Sequence, residues 1–161
     1  MDVICTECGD RRTYDPMIWR CNCGGPFDLD FIGSVDRDAL VGKPMSLWRY
    51  REALPIPEAA NVISLGEPIT PLVPFSVAGI EIFLKMECLM PTGSYKDRGT
   101  TVLMTDLATR GISRIVEDSS GNAGASVAAY AARAGIDAEI YVPAATSKGK
   151  TAQISAYGAT L

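Results

Sequence analysis

The sequence predicts an α/β protein: a parallel sheet with crossover helices, preceded by a small cysteine-rich unit. Three observations carry this. Four of the five cysteines fall between Cys5 and Cys23. Residues 31–75 contain Pro44, Pro55, Pro57, Pro68, Pro71 and Pro74, a density that excludes long helices and central strands. Beyond residue 80, short β-branched runs alternate with helical segments at the spacing of βαβ units. The chain therefore divides into residues 1–30, 31–90 and 91–161.

In the first unit, Cys5-x2-Cys8 and Cys21-x-Cys23 read as metal ligands sooner than as disulfides, because a reducing cytosol keeps thiols free. Zinc held by four thiolates would staple a segment too short for its own core. The single residue Asn22 between the second pair makes a tight chelate. The alternative is a metal-free unit held by packing of Trp19, Phe27 and Leu29. Cys88 reads as a small buried residue. The proline-rich stretch that follows looks like chain laid over a neighbouring body.

From Ile80 the character changes. Ile80–Lys85 is rich in apolar and β-branched residues and predicts a strand. The loop Met90-Pro91-Thr92-Gly93-Ser94 opens a helix to about Arg110, with Leu103, Met104, Leu107 and Ala108 as its apolar stripe and Gly111 as its stop. Ile115–Glu117 is a short strand. Ser119-Ser120-Gly121-Asn122 then begins an alanine-rich helix ending at Ala134-Gly135. Ala138–Val142 is the next strand, stopped by Pro143, and a helix from Ser147 to Tyr157 stops at Gly158. Ala159-Thr160-Leu161 looks like the start of another strand. An edge strand of that length stabilises little, so the chain reads as part of a longer protein.

Composition narrows the function. With 161 residues, 47% hydrophobic and 21% charged, the chain is a folded domain with an appendage, not a disordered segment. Its net charge is −4 with no run of Lys and Arg, which argues against a grip on nucleic acid phosphates. The longest uncharged stretch, Ser119–Ala132, is too short and too polar to span a bilayer. No basic segment leads into an apolar run at Met1–Cys5, so a cytoplasmic location is expected. There is no histidine. Ser-His and Cys-His pairs and histidine ligands are thereby excluded, leaving lysine, carboxylates, Cys, Tyr, a metal or an organic cofactor for any catalysis.

Two motifs bear chemistry. In Pro91-Thr92-Gly93-Ser94-Tyr95-Lys96-Asp97-Arg98-Gly99, Lys96 stands near a helix N-terminus, where the dipole disfavours an ammonium and favours a nucleophilic amine. A solvated helix start is the alternative. In Asp118-Ser119-Ser120-Gly121-Asn122-Ala123-Gly124, a strand-to-helix turn offers free amides and hydroxyls to a carboxylate or phosphate. The alternative is an ordinary helix start capped by Ser or Asn.

Ser64-Leu65-Gly66-Glu67-Pro68-Ile69-Thr70-Pro71-Leu72, Pro91–Gly99 and Ser119–Gly124, extended by Ala132–Gly135 and Ala152–Ala159, together resemble successive motifs of threonine synthases. These are pyridoxal-phosphate enzymes of fold type II, the group that includes tryptophan synthase β chains and serine/threonine dehydratases. The lysine and Ser-Gly-Asn motifs, in that order with Lys96 and Asn122 26 residues apart, are together highly specific. The resemblance implies an incomplete fold type II protein. Residues 31–90 would be the N-terminal segment of its large domain. Residues 91–161 would be the lysine segment and part of its small α/β domain. Residues 1–30 would be a zinc-ribbon-like unit of a kind common in one branch of the family.

The resemblance also implies roles. Lys96 would bind pyridoxal 5'-phosphate as a Schiff base and shuttle protons, and Asn122 would hydrogen-bond the 3-hydroxyl oxygen of the ring. Ser119, Ser120, Gly121 and Ala123 would receive the substrate carboxylate, with Thr92 and Ser94 lining the pocket. Lys-Asp-Arg-Gly favours a synthase over a dehydratase. The implied reaction converts O-phospho-L-homoserine and water to L-threonine and phosphate, with a homodimer as the complete enzyme. Pro68 stands where the family usually carries a second glycine, and Met90 where an asparagine is common. No glycine-rich cup for the cofactor phosphate occurs, so inactivity alone is expected. A different fold type II lyase, such as a serine/threonine dehydratase or a hydroxyaspartate ammonia-lyase, is one alternative; a non-catalytic, zinc-held binding module is another.

Overall fold

The computed structural model describes residues 1–161, the Lys150 side chain excepted. Three short strands build the N-terminal unit: β1 (Asp2–Cys5), β2 (Arg11–Thr13) and β3 (Phe27–Leu29). They form an antiparallel sheet with β1 in the centre. Val3 and Cys5 alternate on the inner face of β1, and both are buried. Gly25 is required here by close approach. A Cβ at this position would lie 2.9 Å from Cys5 Sγ and 2.5 Å from Glu7 Cγ.

The stretch from 31 onward is irregular, as its prolines dictate, with short 3-10 turns at Asp38–Leu40 and Leu47–Ala53. The irregular stretch ends a little before residue 75. Leu72–Val77 is a strand, β4, paired antiparallel with β5 (Ile80–Lys85). Pro74 is tolerated because each strand of a two-stranded ribbon has an open edge.

The α/β body follows the predicted order: α1 (Lys96–Thr109), β6 (Arg114–Glu117), α2 (Asn122–Ala134), β7 (Asp137–Ile140) and α3 (Lys148–Ala156). β6 and β7 are parallel, joined by the α2 crossover, and Thr160 makes a parallel bridge to Glu139 where a further strand was expected. β7 ends at Ile140, two residues short of expectation. Gly111, Gly135 and Gly158 all take positive φ where the helices stop.

The core is organised around α2, whose residues Gly124–Ala131 are all buried. Met104 and Leu107 from α1, Ile136 and Ile140 from β7 and its approach, and Ile154 from α3 pack against it. Alanine suits this position because small side chains let three layers approach one helix closely. Leu103 is 43% exposed and does not belong to the buried stripe of α1. Cys88 is likewise exposed, contrary to the expectation of a buried thiol.

Candidate active site

Lys96 opens α1 and is exposed, with Nζ 5.2 Å from the centroid of the Tyr95 ring. No side chain caps the helix; the Lys96 amide donates to Ser94 Oγ at 3.3 Å. The neighbouring residue does the opposite of a solvated helix start. Asp97 is fully buried. Its carboxylate accepts the Thr92 amide at 2.7 Å, the Thr92 hydroxyl at 2.6 Å and the Ser126 hydroxyl of α2 at 2.7 Å. Gln153 Nε2 of α3 donates to the Thr92 carbonyl at 2.9 Å. The loop is thus tied to both neighbouring helices.

Arg98 turns the other way. Its guanidinium donates two 2.8 Å hydrogen bonds to Glu87 and one of 3.0 Å to Thr70 Oγ1. Thr70 in turn donates to Glu87 at 2.6 Å. The Arg98 hydrogen bonds outweigh burial and hold the Glu87 carboxyl down at about 2, the expected sign for a carboxylate facing a bidentate guanidinium. This cluster fixes the base of the β4–β5 hairpin to the first turn of α1.

The second motif forms the turn between β6 and α2. Ser119 Oγ accepts the Gly121 amide at 3.3 Å, and Gly121 is the N-cap of α2 with no side-chain cap. Neither a serine nor Asn122 takes the cap, so that alternative is not what the turn does. Asn122 and Gly121 are exposed, while Ser119, Ser120 and Ala123 are half-buried. Gly124 is likewise demanded by close approach: a Cβ there would sit 2.0 Å from the Ser119 carbonyl oxygen and 3.2 Å from Ile140 Cγ2. The helix start is therefore pressed directly onto the turn, leaving an amide-rich end open to solvent, suited to an anion. Glu117, the last residue of β6, has its carboxyl pushed up by burial and by Asp118, while Lys96 pulls it down.

The structure thus places the expected residues at two helix N-termini, with Thr92, Ser94 and Lys96 at the start of α1 and Ser119–Ala123 at the start of α2. The hydroxyls of Thr92 and Ser94 are both engaged by the first turn of α1, at Asp97 and at the Lys96 amide. Met90, one of the two departures from the family pattern, is 3% exposed and fills core space.

Sequence reasoning missed the buried polar supports. Besides Asp97, these include Glu67, which is fully buried and accepts from Trp48 Nε1 at 2.9 Å, Ser64 Oγ at 2.6 Å, the Leu65 amide at 2.9 Å and the Tyr130 hydroxyl at 2.5 Å. Burial opposes its charge, but hydrogen bonds from Ser64, Tyr130 and Leu65 prevail and its pKa falls; burial and Glu67 both raise that of Tyr130. The one available signal for Ser126 is its place four residues after Asn122, on the same helix face.

In the N-terminal unit, the sulfurs of Cys5, Cys8, Cys21 and Cys23 all lie within 4.8 Å of one another. Cys5 and Cys23 approach to 3.5 Å, and Cys8 and Cys21 to 3.6 Å. A zinc tetrahedron has sulfur–sulfur edges of about 3.8 Å, so the four thiols fit one ion. The Cys8 amide hydrogen bond is foremost in lowering the Cys5 thiol to about 7. The packing alternative has little to stand on, since Trp19 is 75% and Leu29 42% exposed.

Residues 63–161 match the family model of pyridoxal-phosphate dependent enzymes. Among curated relatives, a threonine synthase of Methanocaldococcus jannaschii is 36% identical, with 96% of this chain and 41% of that protein covered. A threonine synthase of Mycobacterium leprae is 42% identical, over 73% of this chain and 34% of that protein. Among solved structures, an O-ureido-L-serine synthase aligns with a TM-score of 0.53 at 30% identity, covering 57% of this chain and 31% of that one. Serine racemase from Dictyostelium discoideum aligns at 0.51 and 31% identity, covering 56% and 32%. The chain spans about two-fifths of the length of the first of these curated relatives.

Proposed function

The chain belongs to the family of pyridoxal-phosphate dependent enzymes, and from that premise we propose that it is the N-terminal part of a threonine synthase. The complete enzyme would convert O-phospho-L-homoserine and water to L-threonine and phosphate. The observation that carries the reading is the pairing of an exposed Lys96 on the first turn of α1 with the uncapped N-terminus of α2. Its similarity along nearly the whole chain to an archaeal threonine synthase supports this substrate over others.

The residues present fit the cofactor. Lys96 would hold it covalently and then move the proton at the substrate's α carbon, and exposed Asn122 would hydrogen-bond the ring's 3-hydroxyl oxygen. Pyridoxal phosphate supplies an electron sink for carbanion chemistry. The substrate carboxylate would lie on the backbone amides of the turn, contacted by Ser119, Ser120, Gly121 and Ala123, with Thr92 and Ser94 on the facing loop. The open amides and the α2 dipole favour that negative charge. No histidine enters this scheme, in keeping with the composition. The four cysteines would hold one zinc ion as a structural staple. The complete enzyme would work in the cytoplasm as a homodimer; no described helix is long and apolar enough to cross a membrane.

The reading also accounts for the β4–β5 hairpin. Its pairs Val73–Leu84, Phe75–Ile82 and Val77–Ile80 share one face, wholly apolar and 37–66% exposed. Such a face calls for a cover, which the further polypeptide of a full-length enzyme would provide. Product analysis tests the substrate. Threonine and phosphate formed in equal amounts from O-phospho-L-homoserine are expected. A complete enzyme that instead makes an oxo acid and ammonia from L-threonine or L-serine is a dehydratase, and the proposal fails.

A further inference from the structure

Resting on the cofactor reading above, we infer that Asp97 is a positioning residue: through Ser126 it sets the placement of Lys96 relative to Asn122. The two residues that would hold the cofactor stand on different helices, so their separation depends on how α1 and α2 are docked. Apolar packing of Met104 and Leu107 against the alanines of α2 holds the two helices together, but the hydrophobic effect behind it has no direction of its own. A hydrogen bond does.

Among the described residues, one side-chain hydrogen bond joins α1 to α2 directly, from Ser126 Oγ to Asp97 Oδ1 at 2.7 Å. Its position matters more than its existence. Asp97 adjoins Lys96 in the chain, and Ser126 lies four residues beyond Asn122, one turn along the same face of α2. The bond therefore spans the two helices within one residue and one helical turn of the two cofactor-holding side chains.

Asp97 also fixes the approach to Lys96. Both oxygens are used: Oδ2 takes the Thr92 amide, and Oδ1 takes the Thr92 hydroxyl with that of Ser126. The carboxylate is sealed from water, so a lost partner would leave a buried acceptor unpaired. The loop carrying Ser94 and Lys96 is thus held against α2 by the residue that follows the lysine. Arg98, the next residue, holds the outer side to Glu87 and Thr70. Asp97, fully buried and with both oxygens occupied by Thr92 and Ser126, works through Lys96 and Asn122.

The test uses the complete enzyme with Ser126→Ala, Ser126→Thr and Asp97→Asn. Ser126→Ala removes one oxygen and should keep a cooperative melt and the borohydride-reducible link at Lys96. It should lose roughly tenfold or more in kcat while KM for O-phospho-L-homoserine changes by less than about threefold. It should also release pyridoxal phosphate on gel filtration under conditions where the unmodified enzyme retains it. Ser126→Thr restores the hydroxyl and should recover most of both losses; Asp97→Asn, which keeps the shape and removes the charge, should lose more than Ser126→Ala. Unchanged kcat and cofactor retention in Ser126→Ala would overturn the inference. So would a loss that Ser126→Thr does not repair, or one confined to stability. If the unmodified enzyme carries no link at Lys96, the cofactor reading falls together with this one. If it carries the link and the variants are silent, only the positioning role falls.

Discussion

At the scale of single residues, the charged pair after the lysine divides its work. Asp97 faces inward to α2 and Arg98 outward to Glu87 and Thr70. Position in the motif made Asp97 look like a dipole-favoured helix start, and that much is true, since it lies in the first turn. Its complete burial was not legible, because hydrophobic periodicity marks apolar core positions and is silent on buried polar ones. The same holds for Glu67. The Arg98–Glu87 pair makes a prediction with a definite sign. The Glu87 carboxyl is held at about 2 against an ordinary 4.5. A carboxylate whose folded pKa is depressed adds stability above its unfolded pKa, and that stability is lost as pH falls through the folded value. Glu87→Gln in the complete protein should therefore be less stable by on the order of 2 kcal/mol at neutral pH. The gap to the unmodified protein should close between about pH 4.5 and 2. Chemical denaturation across that range checks it; a gap that stays constant would assign the loss to packing.

At the scale of elements, the sequence was most readable where period and punctuation agreed. The α1, α2 and α3 boundaries lie within two residues of the positions marked by their loops and glycines. It was least readable where one local signal overrode another. The prolines marked the chain up to about residue 75 as irregular, yet β4 begins at Leu72, because Pro74 sits in a ribbon with an edge free on either side and in no central strand. Leu103 fitted the apolar stripe of α1 but stays 43% exposed. The N-terminal unit shows the reverse case. The single-residue spacing of Cys21 and Cys23 argued for a tight chelate, yet all four sulfurs converge within 4.8 Å. With Val3 as the only buried aliphatic side chain of β1–β3, this unit has no core of its own, and a bound ion would supply most of its stability. Protein purified anaerobically should therefore carry about one zinc per chain. Chelation should melt the unit's antiparallel strands while the α1–α2–β7 core persists. Zinc well below one equivalent, or a unit unmoved by chelator, would retire the metal.

At the scale of the whole molecule, the α/β body and the two helix N-termini would form one half of the proposed site. They offer a lysine, an amide-rich turn and buried polar ties between them. The cofactor's phosphate would need a cup that the sequence does not display, and the apolar face of the hairpin needs a cover. Both needs point to the same supplement, the additional length that the threonine synthase relatives possess. Whether Lys96 holds pyridoxal phosphate is read out by borohydride reduction of the complete enzyme followed by peptide mass mapping. One reduced pyridoxyl adduct per chain is expected on the peptide carrying Lys96, absent from Lys96→Ala. An adduct on another lysine, or none in an enzyme that still turns over, would contradict it.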